Sequence, residues 1–179
     1  MVAGNRERKQ VEKWVFTPDV ILSCSMTKQH PQAYIKITEI LSKEHFRRAN
    51  HFSQEKALYL ELAETELAKN QKRCKKPIVD FSIGISKGKN RMIRLVEAKF
   101  DVDNLKNLTE SNIPEKVKHS NDIFISNGIP IKSGAVVLIN NSKIVQQQKR
   151  WLSSILAAKG QHYSVRTVEE FYNEYFKVS

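Results

Sequence analysis

Long apolar runs are missing from this 179-residue chain. The longest, Ala135-Val136-Val137-Leu138-Ile139, falls far short of the roughly 20 residues that a membrane-crossing helix needs, which excludes a transmembrane reading. The opening stretch Met1 to Gln10 is polar and holds no apolar segment of the kind a secretory signal carries, so a cytoplasmic protein is expected. Cysteine is scarce as well. Cys24 and Cys74 are too few and too far apart for a zinc cluster, and both read as ordinary core or surface thiols. His30, His45, His51, His119 and His162 show no metal-ligand spacing, and no nucleophilic Ser or Cys motif is present.

Negative charge is also in short supply. Against 30 Lys+Arg stand 19 Asp+Glu, a formal net charge of +11. Such an excess concerns partners rather than fold, because Lys and Arg that neutralise phosphates release condensed counterions. Nucleic acid is the leading partner class and no membrane is expected, although charge alone does not separate this from a lysine-rich composition with no polyanionic partner. What is present suffices for a core: 40% hydrophobic and 27% charged residues describe a globular chain of one domain, or a domain with an extension.

Residues 1–52 read as a helical N-terminal extension and 53–179 as an α/β core, together one compact unit. From Thr17 to about Lys76 the chain looks mostly helical, with a turn at Thr27-Lys28-Gln29-His30-Pro31 and helical spacing of Tyr34, Ile37, Leu41 and Phe46. A second helix is expected from Gln54 to about Gln71, capped by Ser53 and carrying Glu55, Glu61, Glu64 and Glu66. The pattern changes at Pro77. Phe81, Ile83 and Ile85 alternate with small residues, a polar turn at 86–90 follows, and Met92 to Phe100 is again strand-like: a β-hairpin. Then come a polar loop, a helix opened by Pro114, a strand at Gly134 to Ile139, an amphipathic helix at Lys143 to Lys159, a strand at His162 to Val168, and a last helix whose capping box is Thr167 with Glu170. That order predicts a mixed central sheet flanked by helices.

The hairpin holds the chemistry. Side chains two apart on a strand share a face, so Glu97 and Lys99 project together while Ala98 points away, and Asp80 on the neighbouring strand can join them. Carboxylates from adjacent strands, with the intervening backbone carbonyl, are the hard oxygen ligands that Mg²⁺ or Mn²⁺ requires. A lysine beside them can orient water or stabilise charge on a phosphate. Of the two [Asp/Glu]-x-Lys triplets in the chain, Glu7-Arg8-Lys9 lies in a polar terminus, and only Glu97-Ala98-Lys99 has an apolar strand around it. The competing reading is an edge strand whose solvent face holds Glu97 and Lys99 as a surface pair. Gly84 to Asn90 is one residue short of a phosphate loop and is better explained as a hairpin turn.

Pro77-Ile78-Val79-Asp80, Glu97-Ala98-Lys99 and an upstream glutamate-rich helix together resemble the PD-(D/E)XK nuclease superfamily, over about residues 53 to 140. The resemblance implies a restriction-endonuclease-like αβββαβ core and phosphodiester cleavage with Mg²⁺ or Mn²⁺. It implies metal binding by Asp80, Glu97 and the carbonyl of Ala98, with Lys99 serving the attacking water. It further implies a helix glutamate, for which Glu61 is the first choice and Glu64 or Glu55 the alternatives. Two features depart from the pattern. Pro77 precedes Asp80 by three positions rather than one, and only two strands are visible before the second core helix, so a strand lies hidden in the N-terminal region, around Trp14 to Leu22, or the fold is a variant.

Lys87, Lys89, Arg91 and Arg94 on the hairpin, with Lys116 and Lys118 on the next helix, are the expected phosphate contacts, and Arg47, Arg48 and His51 extend them. The expected activity is a metal-dependent endonuclease acting on DNA rather than RNA, its specificity coming from the N-terminal part, from a homodimer or from a protein partner. The alternatives are a non-catalytic nucleic-acid-binding or assembly protein on the same fold, and a ribonuclease toxin.

Overall fold

The computed structural model describes residues 13–46, 50–100, 112–125, 128–140, 145–157 and 162–177. Its centre is a seven-stranded mixed sheet between two layers of helices, an α/β architecture. Strands β1 (Val15–Phe16), β2 (Tyr34–Lys36), β3 (Lys56–Tyr59), β4 (Phe81–Lys87), β5 (Asn90–Lys99), β6 (Ile131–Ile139) and β7 (Ser164–Thr167) lie in the order β2-β3-β4-β5-β6-β7, with β1 paired to β4. The pairs from β2 to β5 are antiparallel, whereas β5, β6 and β7 run parallel. Parallel neighbours need crossovers, and α5 (Asn112–Phe124) and α6 (Val145–Ala157) lie in them. Central strands are covered on both faces, which is why Ala135 to Ile139 is uninterruptedly apolar and wholly buried.

One layer packs Ile21 of α1 (Pro18–Leu22), Met26 of α2 (Ser25–Gln29), Leu60 and Ala63 of α4 (Leu60–Asn70), Val117 of α5 and Leu152 of α6 against Ile93, Leu95 and Val137. The other packs α3 (Ile37–Lys43) and α7 (Val168–Tyr175) against Phe81, Ile83, Val96 and Leu138. α1 crosses β4 so closely that a Cβ on Gly84 would stand 2.5 Å from the Thr17 carbonyl oxygen; only glycine fits there.

The hairpin, the helix carrying Pro114, the strands β6 and β7 and the Thr167–Glu170 capping box are where the sequence places them. The helix expected from Gln54 is not. Ser53 caps nothing; its N–H donates to Glu55 Oε2 at 2.7 Å. Lys56-Ala57-Leu58-Tyr59 forms β3, paired to β2 on one side and to Phe81 and Ser82 on the other, and the helix begins only at Leu60. Ala57 and Leu58 are both wholly buried, one in each layer, and that two-sided burial overrides the helix propensity of the local sequence. The stretch read as a helical extension also supplies β1 and β2, so residues on both sides of position 52 share one sheet.

Candidate active site

The β4–β5 register places Phe81 opposite Val96, and one step further along the ladder puts Asp80 across from Glu97. Both point to the face covered by α4 and α5, Glu97 being fully buried and Asp80 4% exposed. Asp80 Oδ2 accepts the Ala98 N–H at 2.6 Å, which fixes the carboxylate against the next strand. Lys99 Nζ lies 2.5 Å from Glu97 Oε1. Lys116 reaches in from α5, its Nζ 2.8 Å from the same oxygen and 3.9 Å from Asp80 Oδ1, so one ammonium lies between the two carboxylates. Glu97 Oε2 is buried without a hydrogen-bond partner among the described residues.

The helix that presents Lys116 is latched to the strand that presents Asp80. Buried Ser120 donates its hydroxyl proton to the Lys116 carbonyl at 2.7 Å and accepts the Val79 N–H at 3.0 Å. His119 Nδ1 lies 3.1 Å from the Pro77 carbonyl oxygen. Residues 77–80 and 116–120 are thereby held as one unit.

Burial holds the Asp80 carboxyl well above the ordinary carboxylate range, with the charges of Glu97 and Glu44 adding to it and Lys116 and the Ala98 N–H opposing. Burial works against the charge of Lys116, but Glu97, Asp80 and Glu61 outweigh it and its ammonium is held above the usual lysine value.

Glu44 and Tyr59 belong to the same cluster, and sequence reasoning missed both. Glu44 caps the C-terminus of α3 and accepts a hydrogen bond from the Tyr59 hydroxyl at 3.2 Å. Burial raises its carboxyl, with Glu61 and Glu97 adding, against Tyr59 and Lys116. Burial and then the Glu44 carboxylate push the Tyr59 phenol upward. No local pattern marks either residue; they reach the site because β3 pairs with β4 and α3 packs on β3, a long-range outcome of the sheet order.

The helix glutamates separate cleanly. Glu64 is fully buried but committed to structure: Arg73 Nη1 and Nη2 donate to it at 2.6 and 3.0 Å and the Lys76 N–H at 2.7 Å. Glu55 holds the Ser53 and Gln54 N–H groups, and Glu66 pairs with His30. Glu61, half-exposed and ion-paired to Lys75, is the one of these four whose charge reaches Lys116, Glu44 and Tyr59.

Of the basic residues expected beside the carboxylates, the structure brings only Lys116 there. Lys118 is exposed on α5. Lys87, Lys89 and Arg91 flank the hairpin turn, at the opposite end of β5 from Glu97. Arg94 is buried, donating to the Ser133 carbonyl at 2.9 Å and to Ser164 Oγ at 3.0 Å. His51 stacks on Tyr172, while Arg47 and Arg48 lie outside the described residues. Both cysteines are free, Cys24 buried and Cys74 exposed.

Among the described residues no group of three or more His, Cys, Asp or Glu side chains converges to hold a metal ion, and no described helix is long and apolar enough to cross a membrane. The donor set nevertheless fits a hard cation that takes two carboxylates from the chain and completes its shell with water or phosphate oxygens, since Glu97 Oε2 is unclaimed and Asp80 lies alongside. No protein-family model, no curated protein and no solved structure matches the chain.

Proposed function

We propose that the protein is a metal-dependent nuclease that hydrolyses phosphodiester bonds, in DNA rather than RNA, at a PD-(D/E)XK-type site built on Asp80, Glu97 and Lys99. One observation carries the reading: a cross-strand carboxylate pair, buried, with one oxygen of Glu97 left without a partner among the described residues. Adjacent buried carboxylates repel and are costly to desolvate, and a divalent cation turns that arrangement to advantage. The antiparallel neighbours β3, β4 and β5, followed by α5 and the parallel strand β6, also support it, although α4 stands between β3 and β4 in the chain, a departure from the uninterrupted three-strand run of the resemblance.

On this reading Asp80, Glu97 and the Ala98 carbonyl would hold Mg²⁺ or Mn²⁺, which polarises a phosphoryl oxygen and lowers the pKa of bound water. Lys99, anchored on Glu97, orients the attacking water by hydrogen bonding. Lys116 is placed to meet a non-bridging phosphate oxygen and to stabilise the charge that develops there. Glu61 and Glu44 add negative potential at the rim, favouring cation entry. The test is cleavage of plasmid DNA, linear DNA and total RNA with Mg²⁺, Mn²⁺ or EDTA, beside Glu97→Gln and Lys99→Ala. Cutting that needs metal and is lost in both variants is expected; unaltered cutting in either variant, or none in the parent, overturns the reading.

A second reading has its own observation. Both Lys99 and Lys116 already occupy Glu97 Oε1, and Lys116 stands between the carboxylates, so the cluster is close to neutral without a metal. That favours a non-catalytic nucleic-acid-binding protein on the same fold. Parent protein that binds DNA in a salt-dependent way but never cuts it would select this alternative.

A further inference from the structure

From Phe81 to Val96 the chain holds no Asp or Glu, but it holds Lys87, Lys89, Arg91 and Arg94. In the structure the first three gather at the hairpin turn, exposed or half-exposed, and none of them is ion-paired among the described residues. Other elements bring more positive charge to the same end. β1 pairs antiparallel with β4, Val15 opposite Ser86, which places Lys13 and Trp14 beside Lys87. β6 runs parallel to β5 with Ile131 beside Ile93, which brings Lys132 there, its Nζ 4.8 Å from the centre of the Trp14 ring. Burial and then the like charges of Arg94 and Lys87 hold the Lys132 ammonium below its usual range, with Glu174 opposing. Glu174 itself is engaged by Arg166 at 2.7 Å, so among the described residues little negative charge is left to neutralise this end of the sheet.

We infer that the hairpin end of the sheet, formed by Lys87, Lys89, Arg91, Lys132 and Lys13 around Trp14, is a second polyanion-binding surface that grips a nucleic-acid backbone away from the carboxylate site. It deepens the nuclease reading by adding a remote contact, yet it stands on charge and topology and holds for a non-cleaving binding protein too. At about 3.3 Å per residue, Arg91 lies roughly 20 Å along β5 from Glu97 and the turn some 30 Å. A duplex bridging the two regions would therefore span about six to nine base pairs at about 3.4 Å each. An anionic membrane is the less fitting partner: the exposed large apolar residues among those described, Leu22 and Ile125, lie on α1 and beyond α5, so none of them belongs to the patch.

The test is fluorescence-anisotropy binding of 8- and 20-base-pair DNA duplexes, and of the matching RNA duplexes, over a KCl series in EDTA, so that cleavage plays no part. Lys87→Gln/Lys89→Gln/Arg91→Gln/Lys132→Gln is compared with the parent and with a charge-matched control, Lys28→Gln/Lys36→Gln/Lys56→Gln/Lys69→Gln. Each phosphate contact contributes about 0.9 to the slope of log K against log salt, so the patch variant, which removes four, should lose about 3.6 units on the longer duplex while the control loses fewer than about 1. The 8-base-pair duplex should show a smaller loss than the 20-base-pair one. Equal losses in patch and control variants would overturn the assignment, as would a patch variant that loses phosphatidylserine-vesicle binding with its nucleic-acid slope intact. Failure of the nuclease reading would show instead as absent cleavage with this slope difference preserved.

Discussion

Lys116→Met isolates the role of the ammonium between Asp80 and Glu97. The substitution keeps the length and apolar body of the side chain, which is 16% exposed, and deletes the charge 2.8 Å from Glu97 and 3.9 Å from Asp80. Removing one partner of a buried ion pair costs about 3–5 kcal/mol, because the other charge stays behind. Here Lys99 remains 2.5 Å from the same oxygen, so the loss should fall to about 2–3 kcal/mol. With a urea m-value of about 1–3 kcal/mol/M, that moves the unfolding midpoint by roughly 1 M at pH 7 in EDTA. Lys99→Met should cost less, since that lysine is 25% exposed. The double variant should lose more than the sum, each lysine covering for the other. Adding Glu97→Gln to Lys116→Met removes the stranded charge and should restore most of the stability. Mg²⁺ provides an independent arm, for at a hundredfold excess over its Kd it stabilises by about 2.7 kcal/mol any form that binds it. At one fixed Mg²⁺ concentration the gain should be larger in Lys116→Met than in the parent and absent once Glu97 is Gln. A loss under about 0.5 kcal/mol, or no recovery on adding Glu97→Gln, would refute the placement of Lys116 as the charge that holds the pair together.

Arg73→Ala should destabilise by about 3 kcal/mol at neutral pH, because it strands the fully buried Glu64 carboxylate, and should leave binding at the Asp80–Glu97 site unchanged. Burial opposes the charge of Glu64, but Arg73 and the Lys76 N–H outweigh it and hold the folded carboxyl below its ordinary value of 4.5. The stabilisation it provides is thus full above the unfolded pKa and disappears as pH falls through the folded one; urea titrations from pH 7 downward should show parent and Arg73→Ala converging in acid, and a constant gap would contradict this. Gly134→Ala should cost about 3 kcal/mol or more, since φ is +71° and the new Cβ would stand 2.2 Å from the His162 carbonyl oxygen. A melting temperature within a degree of the parent would disprove the close β6–β7 approach.

How far the sequence shows this molecule depends on whether a signal is local. The β4–β5 hairpin, the α5, α6 and α7 helices and the parallel strand β6 follow from alternation, caps and apolar stripes, all readable within a few residues. Asp80 facing Glu97 follows from the hairpin register, so the centre of the site was legible too. β3 was not, because Lys56-Ala57-Leu58-Tyr59 runs without a break into a good helix and becomes a strand only through partners supplied by β2 and β4. The same long-range pairing hides Glu44 and Tyr59, whose approach to Asp80 no periodicity announces. Lys87, Lys89 and Arg91 show the converse: membership of one hairpin with Glu97 suggested nearness, but a long strand separates its two ends.

Stability alone does not account for the cluster. Glu97, Lys99 and Lys116 could be replaced by apolar residues of similar size at little cost or even with gain, since desolvating ions in a protein interior offsets most of what their pairing returns. Surrounding positions on the same face, Ile93, Leu95 and Val137, are of that apolar kind. Asp80 makes the imbalance plainer, for burial and the charge of Glu97 both disfavour its ionised form. A fold selected for packing would not place two carboxylates across one rung of its central sheet, latch a helix beside them through Ser120, and leave Glu97 Oε2 unpaired. What sets the two functional readings apart is then one event: whether a divalent cation displaces the Lys116 ammonium from between the carboxylates, freeing it for a phosphate, or whether the lysine remains there when nucleic acid binds.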